Sequence, residues 1–145
     1  HKMNAPFYKP ISLEETPLVI EEKSKIWVVS GHYKGTDGVA PTYSPQLLLR
    51  GELDKDGDVH IPISVGFNVL VYVLEGSLKT SGGQLFTKDM GVYNIDGDAI
   101  QLNATANTRY IVLSGEPLNE PVAQYGPFVM SDQTHNLCKL YEIPK

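Results

Sequence analysis

Apolar residues in this chain recur at every second position over short runs, and the runs are broken by Gly, Asp, Asn and Pro. That is the period of strands joined by tight turns, not of helices. Strands are expected over 25–30 (KIWVVS), 46–53 (QLLLRGEL), 59–63, 69–75 (VLVYVLE), 77–81, 84–87, 90–95, 99–103 and 108–114 (TRYIVLS). Asp54-Lys55-Asp56-Gly57-Asp58 and Gly82-Gly83 supply hairpin turns, Gly51 reads as a bulge inside its run, and Gly76 closes the 69–75 strand. No segment keeps a helical period over three turns. The one local helical signal is Ser12 followed by Glu15, a capping-box pair stopped by Pro17. The pattern predicts an all-β protein, a sandwich or a barrel.

One run differs from the others. In VLVYVLE the residues Val69, Val71 and Val73 share one face while Leu70, Tyr72 and Leu74 share the other, so both faces are apolar. A half-solvated antiparallel strand alternates apolar with polar, so this one is expected to be covered on both sides. Proline-rich arms flank the strand-rich body, giving a division into an N-terminal arm (1–19), a barrel (20–115) and a C-terminal arm with a short tail (116–145). Within the second arm Val122, Tyr125, Phe128, Val129 and Met130 are expected to lie against an apolar surface. In the tail, Leu137, Leu140 and Tyr141 could anchor one helical turn.

Charge and composition narrow the function classes. Twelve Lys and Arg against 17 Asp and Glu give a net charge of −5 over 145 residues, which disfavours direct binding to nucleic-acid phosphates. No apolar run approaches the roughly 18 residues of a membrane span. The single cysteine, Cys138, has no partner in the chain for a disulfide, which fits a reducing cytoplasm. The chain opens on His1-Lys2-Met3, as a fragment or processed product would. The loop GHYKGTDG lacks the order of a phosphate-binding loop. DKDGD lacks a calcium loop's glutamate, because Ile63 stands at that position.

VLVYVLEG, with Gly66 upstream and Gly97-Asp98 downstream, resembles the two half-motifs of the cupin superfamily. LSGEPLNEPVAQYGPFVM resembles the C-terminal domain of pirins, and HKMNAPFYKPI resembles the segment joining their two cupin domains. The resemblance runs from His1 to about Met130; beyond it, SDQTHNLCKLYEIPK does not reproduce the family's acidic amphipathic helix. It implies a cupin-type antiparallel β-barrel or jelly roll, RmlC-like. It also implies a metal-free domain that pairs with an N-terminal cupin, in the same chain or a partner chain, holding Fe(II) through histidines and a glutamate. A homodimer is a further expectation. The family's activities include quercetin 2,3-dioxygenase and redox-dependent co-regulation of transcription.

A cupin metal site takes imidazoles and a carboxylate from strands that point into the barrel. Counting back from Gly76 places the vestigial ligand positions at Pro62, Ser64 and Asn68. In the second half-motif the corresponding region offers Gln101, Asn103 and Asn107. None of these can stand in for an imidazole, so no metal and no catalytic residue is assigned to the chain. His60, Arg109 and Tyr72 remain as candidates to line a cavity or touch a ligand, with Arg50 as a second cation if it points inward. His1, His32 and His135 read as loop or terminal residues, Cys138 with His135 as an i, i+3 coincidence, and Asp96-Gly97-Asp98 as a turn. Three functions follow as expectations: a scaffold for the iron-bearing domain, a dioxygenase with a reorganised site including His60, or a small-ligand cupin.

Overall fold

The computed structural model describes Ala5 and residues 7–132. Among these the strands are β1 (Leu18–Glu21), β2 (Ser24–Ser30), β3 (His32–Tyr33), β4 (Thr36–Asp37), β5 (Gln46–Leu53), β6 (Asp58–Pro62) and β7 (Asn68–Glu75). They continue as β8 (Ser77–Thr80), β9 (Gly83–Phe86), β10 (Met90–Val92), β11 (Ala99–Ala104), β12 (Thr108–Gly115), β13 (Ala123–Tyr125) and β14 (Phe128–Met130). The described residues contain no helix. At Ser12 the capping pair forms: Ser12 N–H donates to Glu15 Oε2 and Glu15 N–H donates to Ser12 Oγ, both at 3.2 Å. Thr16 Oγ1 adds a 2.8 Å bond to the Ser12 carbonyl, and the chain then leaves for β1.

Residues Tyr8–Pro117 make one compact unit, built on two antiparallel sheets. The larger has the order β1-β2-β5-β12-β7-β10 and the smaller β6-β11-β8-β9. Their facing sides form the core: Ile26, Val28, Leu49, Val71, Val73, Tyr110 and Val112 from the larger sheet meet Val59, Ile61, Leu78, Leu102 and Ala104 from the smaller. Each residue is nearly shut off from solvent, as the two-residue period requires of the inward positions. This is the double-sheet all-β architecture that the strand rhythm predicted.

Two glycines fix its shape. Gly76 has φ of +87°, and a Cβ there would come within 2.4 Å of the Asn107 carbonyl oxygen, so the 69–75 strand must end where it does. Gly51 is not the expected bulge, since β5 stays in unbroken register with β12 through Tyr110↔Gly51. It is glycine because the Tyr110 ring lies across it: an added Cβ would sit 2.1 Å from Tyr110 Cζ. The bulges fall instead at Val29 in β2 and at Leu74 in β7, opposite the Arg109–Tyr110 step of β12.

The second unit holds, among the described residues, Ala5, Phe7 and 118–132. In it β13 and β14 pair antiparallel, Ala123 opposite Met130, across a turn with Gly126 at φ +55°. The extended path expected after Ser114 therefore contains a short hairpin, in which Tyr125 is exposed. The helical turn expected around Leu137, Leu140 and Tyr141 lies outside the described residues.

Candidate functional site

The barrel mouth is where a ligand of this architecture would enter, and the β6–β7 connection shapes it. β6 alternates strictly: Val59 and Ile61 are buried while Asp58, His60 and Pro62 are exposed. Ile63 continues the inward set, and a turn closed by Phe67 N–H donating to the Ser64 carbonyl at 3.1 Å reverses the chain into β7. In β7 the inward residues are Val69, Val71 and Val73. A mouth cavity of about 230 Å³ is lined by Ile63, Phe67, Val69, Tyr93, Ile100 and Gln101, among others.

The motif count therefore selected the wrong faces. Pro62, Ser64 and Asn68 are all exposed, and Asn107 is an exposed turn residue at the opposite end of β12 from Gly115, which pairs with Asn68. They do not converge. The inward positions at the mouth are Ile63, Val69 and Ile100, which offer no lone pair to a metal. Among the described residues no group of three or more His, Cys, Asp or Glu is arranged to hold an ion, and the side chains at the mouth do not fit an iron. Asn107 has a structural part: its Oδ1 accepts the Lys55 N–H at 2.8 Å, tying the 54–57 turn to the β11–β12 turn.

The cavity candidates also face outward. His60 stands opposite Gln101 on the exposed side of the smaller sheet. Arg109 is exposed beside Glu75, with Nε 2.9 Å from Glu75 Oε2. Arg50 lies over the Trp27 ring, 5.1 Å from its centroid, on the outer side of the larger sheet. Tyr72 is half-buried on that same outer side, opposite Ile111. His32 Nδ1 lies 2.7 Å from Asp37 Oδ1 across the small β3–β4 pair. His1, His135 and Cys138 fall outside the described residues.

The register brings together what single positions did not suggest. Across the outer face of the larger sheet one row runs Leu18, Trp27, Arg50, Ile111, Tyr72, Met90, each directly opposite the next. A second row runs Leu48, Leu113, Leu70, Val92. Leu113, Met90 and Val92 are 42%, 56% and 71% exposed, so nothing within the Tyr8–Pro117 unit covers the outer side of β7 as expected. A charged row, Lys25, Glu52, Arg109, Glu75, borders it at one end. The sequence signal was present in VLVYVLE, but the contribution of Ile111 and Leu113 appears only once β12 is placed beside β7.

Inside the barrel, burial sets the ionisation of three tyrosines. Tyr110 is pushed far up by loss of solvent, and Tyr33 and Tyr93 are raised for the same reason. Tyr110 interacts with the Ser24 hydroxyl and Tyr93 with that of Thr80, while the Ser114 hydroxyl is buried without a hydrogen-bond partner among the described residues.

Comparison with known proteins agrees with this geometry. Residues 48–135 match the family model of the pirin C-terminal cupin domain. Pirin of Mus musculus is 32% identical over 135 residues, covering 90% of this chain and 47% of its own length. The crystal structure of quercetin 2,3-dioxygenase from Acinetobacter baumannii superposes with a TM-score of 0.90 at 32% identity, covering 96% of this chain and 49% of that one. An RmlC-like cupin from Shewanella frigidimarina, 12% identical with a TM-score of 0.53, covers 75% of this chain and 91% of its own and shares the fold alone. The chain spans about half the length of the curated relatives it matches.

Proposed function

The chain belongs to the pirin family, as its C-terminal cupin domain, and from that premise we propose that it is a scaffold for an iron-bearing N-terminal cupin domain. The docking surface is the outer face of the larger sheet. One observation carries this reading: two cross-strand rows of apolar side chains, with Trp27, Arg50 and Tyr72 among them, lie on a face that the Tyr8–Pro117 unit leaves uncovered. Aromatic residues and arginine are enriched in the buried centres of protein interfaces, and lysine and glutamate are depleted there. A contiguous apolar surface of this kind on a folded domain marks a contact site. The charged row from Lys25 to Glu75 would then form a solvated rim.

In this arrangement oxygen chemistry of the quercetin 2,3-dioxygenase type, together with its metal, belongs to the partner domain. The present chain supplies stability and positioning, because its inward mouth positions are Ile63, Val69 and Ile100. The test is turnover of quercetin by the chain alone, and by the chain mixed with an iron-loaded N-terminal cupin domain of the family. Activity is expected only in the mixture. Turnover by the isolated chain, lost on His60→Ala, would favour the dioxygenase reading and reject the scaffold.

A further inference from the structure

A second opening, which shares Ile63 and Phe67 with the mouth cavity and lies apart from the outer apolar face, has the composition of a small-molecule site. It encloses about 460 Å³, a volume within the range of ligand pockets. Its walls come from two directions. The β6–β7 connection contributes Pro62, Ile63 and Phe67, an apolar side with one aromatic ring. The ends of β5 and β12 and the β3–β4 pair contribute Gln46, Ser114 and His32.

The polar side combines one buried hydroxyl, that of Ser114, with the exposed side chains of Gln46 and His32. Ser114 is only 7% exposed, faces inward with Val112 and Tyr110, and lines the cavity. Its hydroxyl is shut off from bulk solvent with no hydrogen-bond partner among the described residues, and buried hydroxyls are normally paired. Gln46 uses one amide hydrogen on Ser30 Oγ at 3.2 Å, which fixes the side chain and leaves a second donor and the carbonyl oxygen. In His32 the 2.7 Å contact from Nδ1 to Asp37 Oδ1 places the proton on Nδ1 when the ring is neutral, leaving Nε2 as an acceptor. The lining contains no Lys or Arg and does contain the Asp37 carboxylate, so it does not suit an anion.

We propose that this cavity binds an uncharged, ring-sized molecule bearing hydroxyl groups. The ring would lie against Phe67 and Ile63, and the hydroxyls would exchange hydrogen bonds with Ser114, Gln46 and His32. Simple phenols and neutral monosaccharides share this chemistry. The site is independent of the docking face, so failure of one leaves the other standing.

The experiment is ligand-observed NMR and calorimetric titration of the full chain with phenol, glucose and, as an anionic control, benzoate. Saturable binding of phenol or glucose is expected, with benzoate at least tenfold weaker. Which of the two binds identifies the source. Ser114→Ala is expected to weaken binding about tenfold, and Asp37→Asn, an exposed substitution outside the core, about threefold. Circular dichroism and thermal melting of each variant establish that it is folded, and His32→Ala on the surface serves as a second probe if Ser114→Ala melts early. Absence of saturable binding by both neutral probes overturns the proposal. So does binding that all three substitutions leave unchanged, or benzoate binding as tightly as the neutral probes.

Discussion

The two sheets bury equivalent inner faces and differ in what they show outside. On the smaller sheet the exposed positions are mostly polar: Asp58, His60 and Pro62 on β6, Gln101 and Asn103 on β11, and Lys79 and Gln84 on the β8–β9 hairpin, with Phe86 as a single large apolar exception. Gln101 Nε2 donates to Asp58 Oδ2 at 3.1 Å, an ordinary solvent-facing cross-strand pair. On the larger sheet the corresponding side carries Trp27, Leu48, Ile111, Leu113, Leu70, Tyr72, Met90 and Val92. Inward packing alone would require only the first arrangement twice. The second needs another reason, and a partner surface supplies it.

The comparison can be broken most severely from inside. Leu102→Ala on the smaller sheet removes a fully buried side chain and is expected to destabilise the chain by about 2–5 kcal/mol in denaturant titration. Leu113→Ser, on the open face of the larger sheet, is expected to cost under about 1 kcal/mol. Equal losses at the two sites would mean that the outer face is already a core. Gly51→Ala comes next, at about 1–3 kcal/mol, because the Tyr110 ring must leave its place to admit a methyl group; Tyr110→Ala in the same background should recover part of the loss attributable to the clash.

The pH response is smaller and has a definite sign. Burial raises Tyr110, and to a lesser degree Tyr33 and Tyr93, above the ordinary phenol value of about 10. The unfolded chain loses its phenol protons near that value while the folded chain keeps them. Above it the unfolded state binds fewer protons, and stability falls as pH rises; below it these groups contribute no slope. Tyr110→Phe should make the decline above pH of about 10 shallower, as read from denaturation midpoints at pH 8 and 11. It should change stability near neutrality by about 1 kcal/mol, the net scale of one buried hydroxyl's interaction, here with Ser24. Smallest is Arg109→Ala. That side chain and Glu75 are both more than half exposed, so the expected cost is about 0.2–1 kcal/mol, shrinking as salt is added.

Much of this fold was legible in the sequence. β5 begins and ends at the expected residues, 46 and 53, since Pro45 and the 54–58 turn bound an uninterrupted run. The Ser12–Glu15 pair and Gly76 also do what their chemistry suggests. The site was less legible because a motif count fixes a spacing from Gly76 but not which of the two strand faces that spacing lands on. Counting back from Gly76 lands on the even positions 62, 64 and 68, while the inward set on both sides of the turn is odd, at Val59, Ile61, Ile63, Val69, Val71 and Val73. Within β6 itself, the alternation of Val59 and Ile61 with His60 and Pro62 already carried the correct assignment. Gly51 was misread for a different reason: its need is set by Tyr110, nearly 60 residues away in sequence and opposite it in the sheet. The open apolar face has the same origin, since its rows draw on strands that meet only after folding.

The central claim concerns the outer face of the larger sheet, and titration of the chain with a family N-terminal cupin domain, followed by analytical ultracentrifugation and calorimetry, addresses it directly. Three forms are compared: the unsubstituted chain, Tyr72→Glu on the apolar face, and Gln101→Glu on the polar face of the smaller sheet. The account predicts a one-to-one complex for the first and third, and at least tenfold weaker binding for Tyr72→Glu with its thermal melt within a few degrees of the others. Self-association of the chain through Tyr72, with no binding to the N-terminal domain, would instead assign this face to a homodimer. Equal binding by all three forms would contradict the account.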